Sequence, residues 1–171
     1  MEHVLKTDRC YIRELQKGDI EAEIKLLSNP DMPDFVEPPE EYDEEIRLWS
    51  EYKEKVYDRY GYGMMGIFDK DTDELIGEAG LEPRFDINRN EYPYDWMFEK
   101  NSAELGYFIK KELWGQGLCT EACKRIISYC NENCGISCVF ARTDDENTAS
   151  VKVLDKLGFK KINGCIYRLD I

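Results

Sequence analysis

The part of this chain best suited to chemistry is a glycine-bearing run between a strand-like and a helix-like segment: Trp114, Gly115, Gln116, Gly117, Leu118, Cys119 and Thr120. Glu104 to Ile109 reads as the strand. Thr120 to about Asn133 reads as the helix, with Ala122, Cys123, Ile126, Ile127 and Cys130 on one apolar face. Glycine lets a backbone turn tightly and approach a ligand with no Cβ in the way. Amides in such a loop and in a first helical turn have no backbone acceptors. Together with the helix dipole they suit a phosphate, and Thr120 adds a hydroxyl donor. A plain tight turn also explains two glycines before a helix. Two other phosphate loops are excluded, since neither Gly-x-x-x-x-Gly-Lys-Ser/Thr nor a Gly-x-Gly-x-x-Gly after a first strand occurs.

Other reactive side chains are few. His3, in a terminal tail, is the only histidine, so no Ser-His-Asp set is available. Seven cysteines occur, at 10, 119, 123, 130, 134, 138 and 165. An odd count and the absence of a secretion signal point to free thiols in a reducing compartment. No Cys-x-x-Cys pair is present, so a zinc site is disfavoured and the cysteines read as small core residues.

The elements around the glycine loop follow from periodicity and breakers. Arg9 to Glu14 alternates as a strand, with Cys10 and Ile12 on one face. Asp19 is placed to cap a helix carrying Ile20, Ile24 and Leu27, stopped at Asn29-Pro30. A second helical pattern runs from about Tyr42 through Ile46, Trp49, Tyr52, Val56 and Tyr60 to Gly61. The stretch from Met64 to Pro83 is a hairpin turning at Asp69 to Asp73. Arg84 to Lys100 reads as an irregular connection or a long hairpin tip. After the central helix, broken by Gly135, come a strand over Ile136 to Ala141, a helix carrying Val151, Leu154 and Leu157 that Gly158 ends, and a strand from Cys165 to Ile171. The fold class is mixed α/β (α+β): one domain over residues 1–171, with a central, mostly antiparallel sheet flanked by helices.

With 171 residues the chain is long enough for a substantial core, and 42 % apolar and 35 % charged residues suit a globular protein. No apolar run spans a membrane and no signal peptide is seen, so the expected address is cytoplasmic. A net charge of −13 disfavours nucleic acid and anionic lipid. Acid is concentrated between Asp31 and Glu45, which includes Asp34, Glu37, Glu40, Glu41, Asp43 and Glu44 with no Lys or Arg. That run is either a solvated loop and helix start or a surface that attracts a cationic substrate.

The motifs together resemble the GNAT superfamily, above all the branch with the ribosomal-protein N-acetyltransferases. Glu104-Leu105-Gly106-Tyr107 is followed by Trp114-Gly115-Gln116-Gly117-Leu118-Cys119-Thr120-Glu121-Ala122. Then come Asn147-Thr148-Ala149-Ser150 and Leu157-Gly158-Phe159. The opening TDRCYIREL is similar too, so the likeness covers nearly the whole chain. Two positions depart from the general pattern. Trp114 stands for Gln or Arg, as is common in this branch, and Cys119 stands for Gly or Ala.

The resemblance implies transfer of an acetyl group from acetyl-CoA to a primary amine, either a protein N-terminus or a small cationic amine. Transfer would be by direct attack in a ternary complex, with no metal. The other reading is a non-catalytic acyl-CoA-binding sensor or interaction module. By resemblance, the backbone of Ile109 pairs with the pantetheine arm, and Trp114 to Thr120 cradle the pyrophosphate. Asn147 bonds pantetheine or simply caps a helix, and Lys152 lies near the cofactor. Ser150 is the candidate acid, with helix capping as its alternative. Glu104 is the candidate base, directly or through water, its proton affinity raised by burial, and Glu78 is the runner-up. Direct transfer makes a nucleophilic Cys119 unnecessary. The first helices and their loop border the acceptor groove, so the acidic run implies an acceptor with an extra cation. Oligomeric state stays open, a homodimer included.

Overall fold

The computed structural model describes residues 4–32, 36, 38–83 and 101–171. In chain order its elements are β1 (Leu5–Lys6), β2 (Cys10–Arg13), α1 (Ile20–Leu27), α2 (Tyr42–Tyr52), α3 (Asp58–Tyr60), β3 (Met64–Asp69) and β4 (Leu75–Pro83). These are followed by β5 (Ser102–Ile109), α4 (Leu118–Cys134), β6 (Cys138–Arg142), α5 (Thr148–Leu157), β7 (Lys160–Asn163) and β8 (Ile166–Asp170). The strands form one sheet in the order β1-β2-β3-β4-β5-β6-β8-β7. Every neighbouring pair is antiparallel except β5 with β6. This is the expected mixed, mostly antiparallel sheet with helices on both faces. Among the described residues no helix is long and apolar enough to cross a membrane.

Period-two alternation sorts the strand residues onto the two faces. Ile12, Ile67, Ala79, Leu105 and Val139 face α4 and α5, where Ala122, Cys123, Ile126 and Leu154 complete the main core. On the other face Phe68 and Leu75 pack with Leu26 of α1 and Trp49 of α2. Close sheet contacts require glycine at Gly77, where a Cβ would lie 2.4 Å from the Phe108 carbonyl and 2.8 Å from the Ile109 Cα.

The structure departs from the sequence expectations in four places. β1 and β7 were not anticipated: β1 has two residues, and every residue of β7 is exposed, so neither carries an alternating signal. The helix expected to run unbroken to Tyr60 instead widens into a π-turn at Lys53–Tyr57. There Tyr52 and Tyr57 lie so close over Gly63 that a Cβ would come within 2.9 Å of each. Asp19 stands at the N-cap position of α1 as expected, but its side chain makes no capping bond. Its carboxylate takes bonds from the Gln16 amide (2.7 Å) and from Arg13 (2.6 and 3.0 Å), closing the turn before the helix. α4 begins two residues earlier than expected, straight after Gly117. The stretch from Arg84 to Lys100, together with Asp34 and Glu37 of the acidic run, lies outside the described residues.

Candidate active site

The parallel pairing of β5 with β6 is short. It joins Ser102 to Cys138, Ala103 to Val139 and Glu104 to Phe140, and then the strands part. On its other edge β5 stays paired with β4 as far as Ile109 opposite Gly77. The Lys110 amide bonds the Ile76 carbonyl at 2.9 Å, so by antiparallel alternation the main-chain groups of Tyr107 and Ile109 turn toward the parting. The opened edge can accept an extended chain.

Below the parting a cleft of about 560 Å³ lies between β5, the glycine loop and the starts of α4 and α5. Gly115 and Gly117 have φ of +75° and +82°, a left-handed backbone that side-chain-bearing residues avoid. Gly117 is the N-cap of α4 and offers no capping side chain. The first helical bond runs from the Glu121 amide to the Gly117 carbonyl, so the Leu118, Cys119 and Thr120 amides have no intrahelical acceptor. These donors sit at the positive end of a 17-residue helix, a fitting place for a phosphate.

Most of the sequence-predicted cofactor residues meet in this cleft: Ile109, Trp114, Gly115, Gly117, Leu118, Cys119, Thr120, Asn147 and Lys152. Gln116 does not line it. Its side chain bonds the Glu112 carbonyl, and its own carbonyl takes Arg9. The Ile109 carbonyl already accepts the Trp114 indole N–H at 2.9 Å, which fastens the loop to the strand end. Asn147 is the N-cap of α5, its Oδ1 accepting the Ser150 amide at 3.1 Å. The capping alternative is therefore realised, and the two amide N–H donors of Asn147 remain for other partners.

Of the two catalytic candidates, Ser150 lines the cleft and Glu104 stands on the opposite side of the sheet. Ser150 Oγ lies 2.7 Å from the Tyr107 hydroxyl, which also donates to the Ser150 carbonyl at 3.2 Å. Burial holds the Tyr107 phenol well above its usual range. Glu104 is the last β5 residue paired with β6, at the apex of the parting, and accepts Arg142 Nε at 2.8 Å. The runner-up, Glu78, is buried on the same face as Glu104, and burial pushes its carboxyl up to about 8.

Sequence reasoning missed two contributors. Tyr107 was quoted as part of a motif but given no task. Arg9, at the start of β2, donates through Nη1 to the Gln116 carbonyl (2.9 Å) and through Nε and Nη2 to Glu121 (2.9 and 2.6 Å). Its own amide bonds Glu121 at 3.0 Å. Burial opposes ionisation of Glu121, but hydrogen bonds from Thr7 and Arg9 prevail and hold it down to about 2. The only signal for this brace was that both residues fall in matching motifs, more than a hundred residues apart.

The family model for the acetyltransferase (GNAT) domain matches residues 9–160. The Uncharacterized N-acetyltransferase YoaA of Bacillus subtilis (strain 168) is 29 % identical over 160 residues, covering 92 % of this chain and 83 % of that protein. Among solved structures, RimL, a ribosomal L7/L12 alpha-N-protein acetyltransferase in complex with coenzyme A, superposes with a TM-score of 0.74 at 15 % identity. The match covers 99 % of this chain and 98 % of RimL. A GNAT-family acetyltransferase from Bacillus anthracis gives 0.73 at 16 % identity, with 98 % of each chain covered. At such identities these two structures speak for the fold alone.

Proposed function

The chain belongs to the GNAT acetyltransferase family and is an N-acetyltransferase, and from this premise we propose that it carries acetyl from acetyl-CoA to a primary amine by direct attack in a ternary complex. The observation that carries the proposal is the cleft at the β5–β6 parting, which joins an open strand edge to a helix N-terminus rich in unpaired amides. The pyrophosphate fits the loop from Trp114 to Thr120, with Lys152 beside it, and the pantetheine arm fits along Tyr107 and Ile109 toward Asn147. The one-domain reading extends over residues 1–171.

In the proposed step the amine nitrogen attacks the thioester carbonyl carbon and the carbon–sulfur bond breaks. The amine's proton passes to Glu104, directly or through water. The departing thiolate takes a proton from the Ser150–Tyr107 hydroxyl pair. The acceptor is a protein N-terminus, as the name of RimL suggests for that relative, or a small cationic amine. An acidic border supports a cationic acceptor, although part of it is already paired: Asp31 with Lys111 and Glu44 with Arg47.

Calorimetry with CoA and acetyl-CoA tests the cleft. At about 100 times the dissociation constant, ligand adds roughly 2.7 kcal/mol, raising Tm by about 5–10 °C in a chain of this size. Absence of binding at millimolar acetyl-CoA would sink the assignment. Binding without turnover on an amine panel would leave the non-catalytic module. In Gly117→Val, a branched side chain must adopt φ +82° and shields the amides, so the variant folds but loses about 100-fold or more in CoA affinity. Wild-type affinity in that folded variant would remove the loop from the site.

A further inference from the structure

Glu78 lies on β4, opposite Gly66 of β3 and Phe108 of β5, on the face covered by α1 and α2. It is 9 % exposed, and among the described residues its buried Oε1 has no hydrogen-bond partner. The charges that act on it are negative: Glu23 from α1 and Glu45 from α2. Tyr57 of the π-turn also faces this group, within reach of Glu14, Glu78, Glu82 and Glu23. The cations nearby are engaged elsewhere. Arg13, in the same row beyond Gly66, is paired with Asp19 and stacked 4.1 Å over Phe68. Lys53 bonds Asp58 at 2.7 Å and stands 3.9 Å from Glu14. A buried carboxylate with no counter-ion among the described residues is costly, and the charges of Glu23 and of Glu45, whose Oε1 accepts the Glu40 amide, add to that cost.

We propose that Glu78, Glu23 and Glu45 form a subsite for a second ammonium group on the acceptor, which is therefore a primary amine bearing another cation a short chain away. The inference rests on the acetyl-transfer reading above and names the substrate class of that same site. Phe108, directly opposite Glu78, lines the cofactor cleft, and Glu104, opposite Glu82, lies further along the same face. The reacting amine at the parting and the second cation at Glu78 can thus belong to one molecule. Without the cation, Glu78 and Glu23 favour their protonated forms. Burial and then the charges of Glu23 and Glu45 push Glu78 up to about 8, while burial and then Glu45 and Asp19 push Glu23 up to about 7. An arriving ammonium favours the carboxylate forms, so binding near neutral pH releases protons to the buffer.

The test is titration calorimetry of the CoA-saturated protein with putrescine and with n-butylamine, at neutral pH in two buffers of different ionisation enthalpy. A parallel pair of short peptides, one with Lys beside the N-terminal residue and one with Ala, shows whether a polyamine or a basic N-terminus supplies the second cation. The dication of the better pair binds about tenfold tighter than its monocationic partner, and protons are released. Both effects are lost in Glu78→Gln, a near-isosteric change that mimics the protonated acid, and are reduced in Glu23→Gln. Equal affinity within both pairs, or a preference unchanged in Glu78→Gln, overturns the subsite. So does a Glu78→Gln variant whose kcat falls while KM for the diamine holds, because Glu78 would then be the base. Acetylation of n-butylamine is followed separately. If no amine is acetylated, the transfer reading falls while the calorimetry still decides the subsite.

Discussion

Ser150 and Tyr107 show what a single contact adds to a motif. Ser150 sits in the first turn of α5, where its amide is already used by the Asn147 cap. Its hydroxyl is left for the 2.7 Å contact with that of Tyr107. If the two hydroxyls deliver one proton to the thiolate, Ser150→Ala lowers kcat about 10²- to 10⁴-fold, while acetyl-CoA affinity changes little. Tyr107→Phe does the same, and the double variant is no slower than the worse single one, because the pair acts as a unit. An unchanged kcat in Ser150→Ala returns that residue to its helix turn. Additive losses separate the two hydroxyls into independent tasks.

Among the elements, the start of β2 and the start of α4 are clasped by Arg9. Four hydrogen bonds run from this residue to Glu121 and the Gln116 carbonyl, so it ties the end of the glycine loop and the first turn of α4 to the residues before β2. The Arg9 side chain is 47 % exposed, so its charge is screened and its worth to global stability is small. Its effect belongs to the shape of the glycine loop. In Arg9→Met we expect acetyl-CoA affinity to drop about tenfold, equivalent to ~1.4 kcal/mol, with kcat at saturating acetyl-CoA retained and Arg9→Lys recovering part of the loss. A kcat defect with intact affinity would instead place Arg9 in the chemistry.

Across the molecule, buried acid sets how stability responds to pH. Glu78 and Glu23 have folded-state values raised to about 8 and about 7 from an ordinary 4.5. Folding therefore favours their protonated forms, and the stability they contribute is fully present below about pH 4.5 and lost as pH rises through 7 to 8. Glu121, held down to about 2, works the other way: its contribution is present above about 4.5 and lost as pH falls through 2. The ligand-free protein should have its highest Tm in mildly acidic buffer and decline toward pH 8. Glu78→Gln should flatten that decline and raise Tm at pH 8 by several degrees. A Tm profile between pH 5 and 8 that is the same in wild type and Glu78→Gln would show that Glu78 ionises without cost.

How much of this was legible in sequence depends on the range of the physics involved. Glycine spacing before an amphipathic helix is a local pattern, and it located the glycine loop, the strand before it and α4 to within two residues. The Asn147–Ser150 spacing likewise marked the start of α5, since a cap needs only a few neighbouring residues. The hairpin of β3 and β4 was readable from its polar turn. Short or fully exposed strands such as β1 and β7 bury too little in alternation to leave a signature, and the π-turn packs its tyrosines over Gly63, a contact that the helical pattern does not encode. The site's electrostatics were decided only by tertiary structure. The pairing of β5 with β6 sets Arg142 against Glu104, 38 residues away in sequence, a contact with no local signature. Glu78 was the second choice, yet the packing of α1 and α2 over β4 surrounds it with acid and leaves one oxygen bare. Sequence sets the charge a side chain can carry, and the charges and solvent the fold places around it decide whether it carries it.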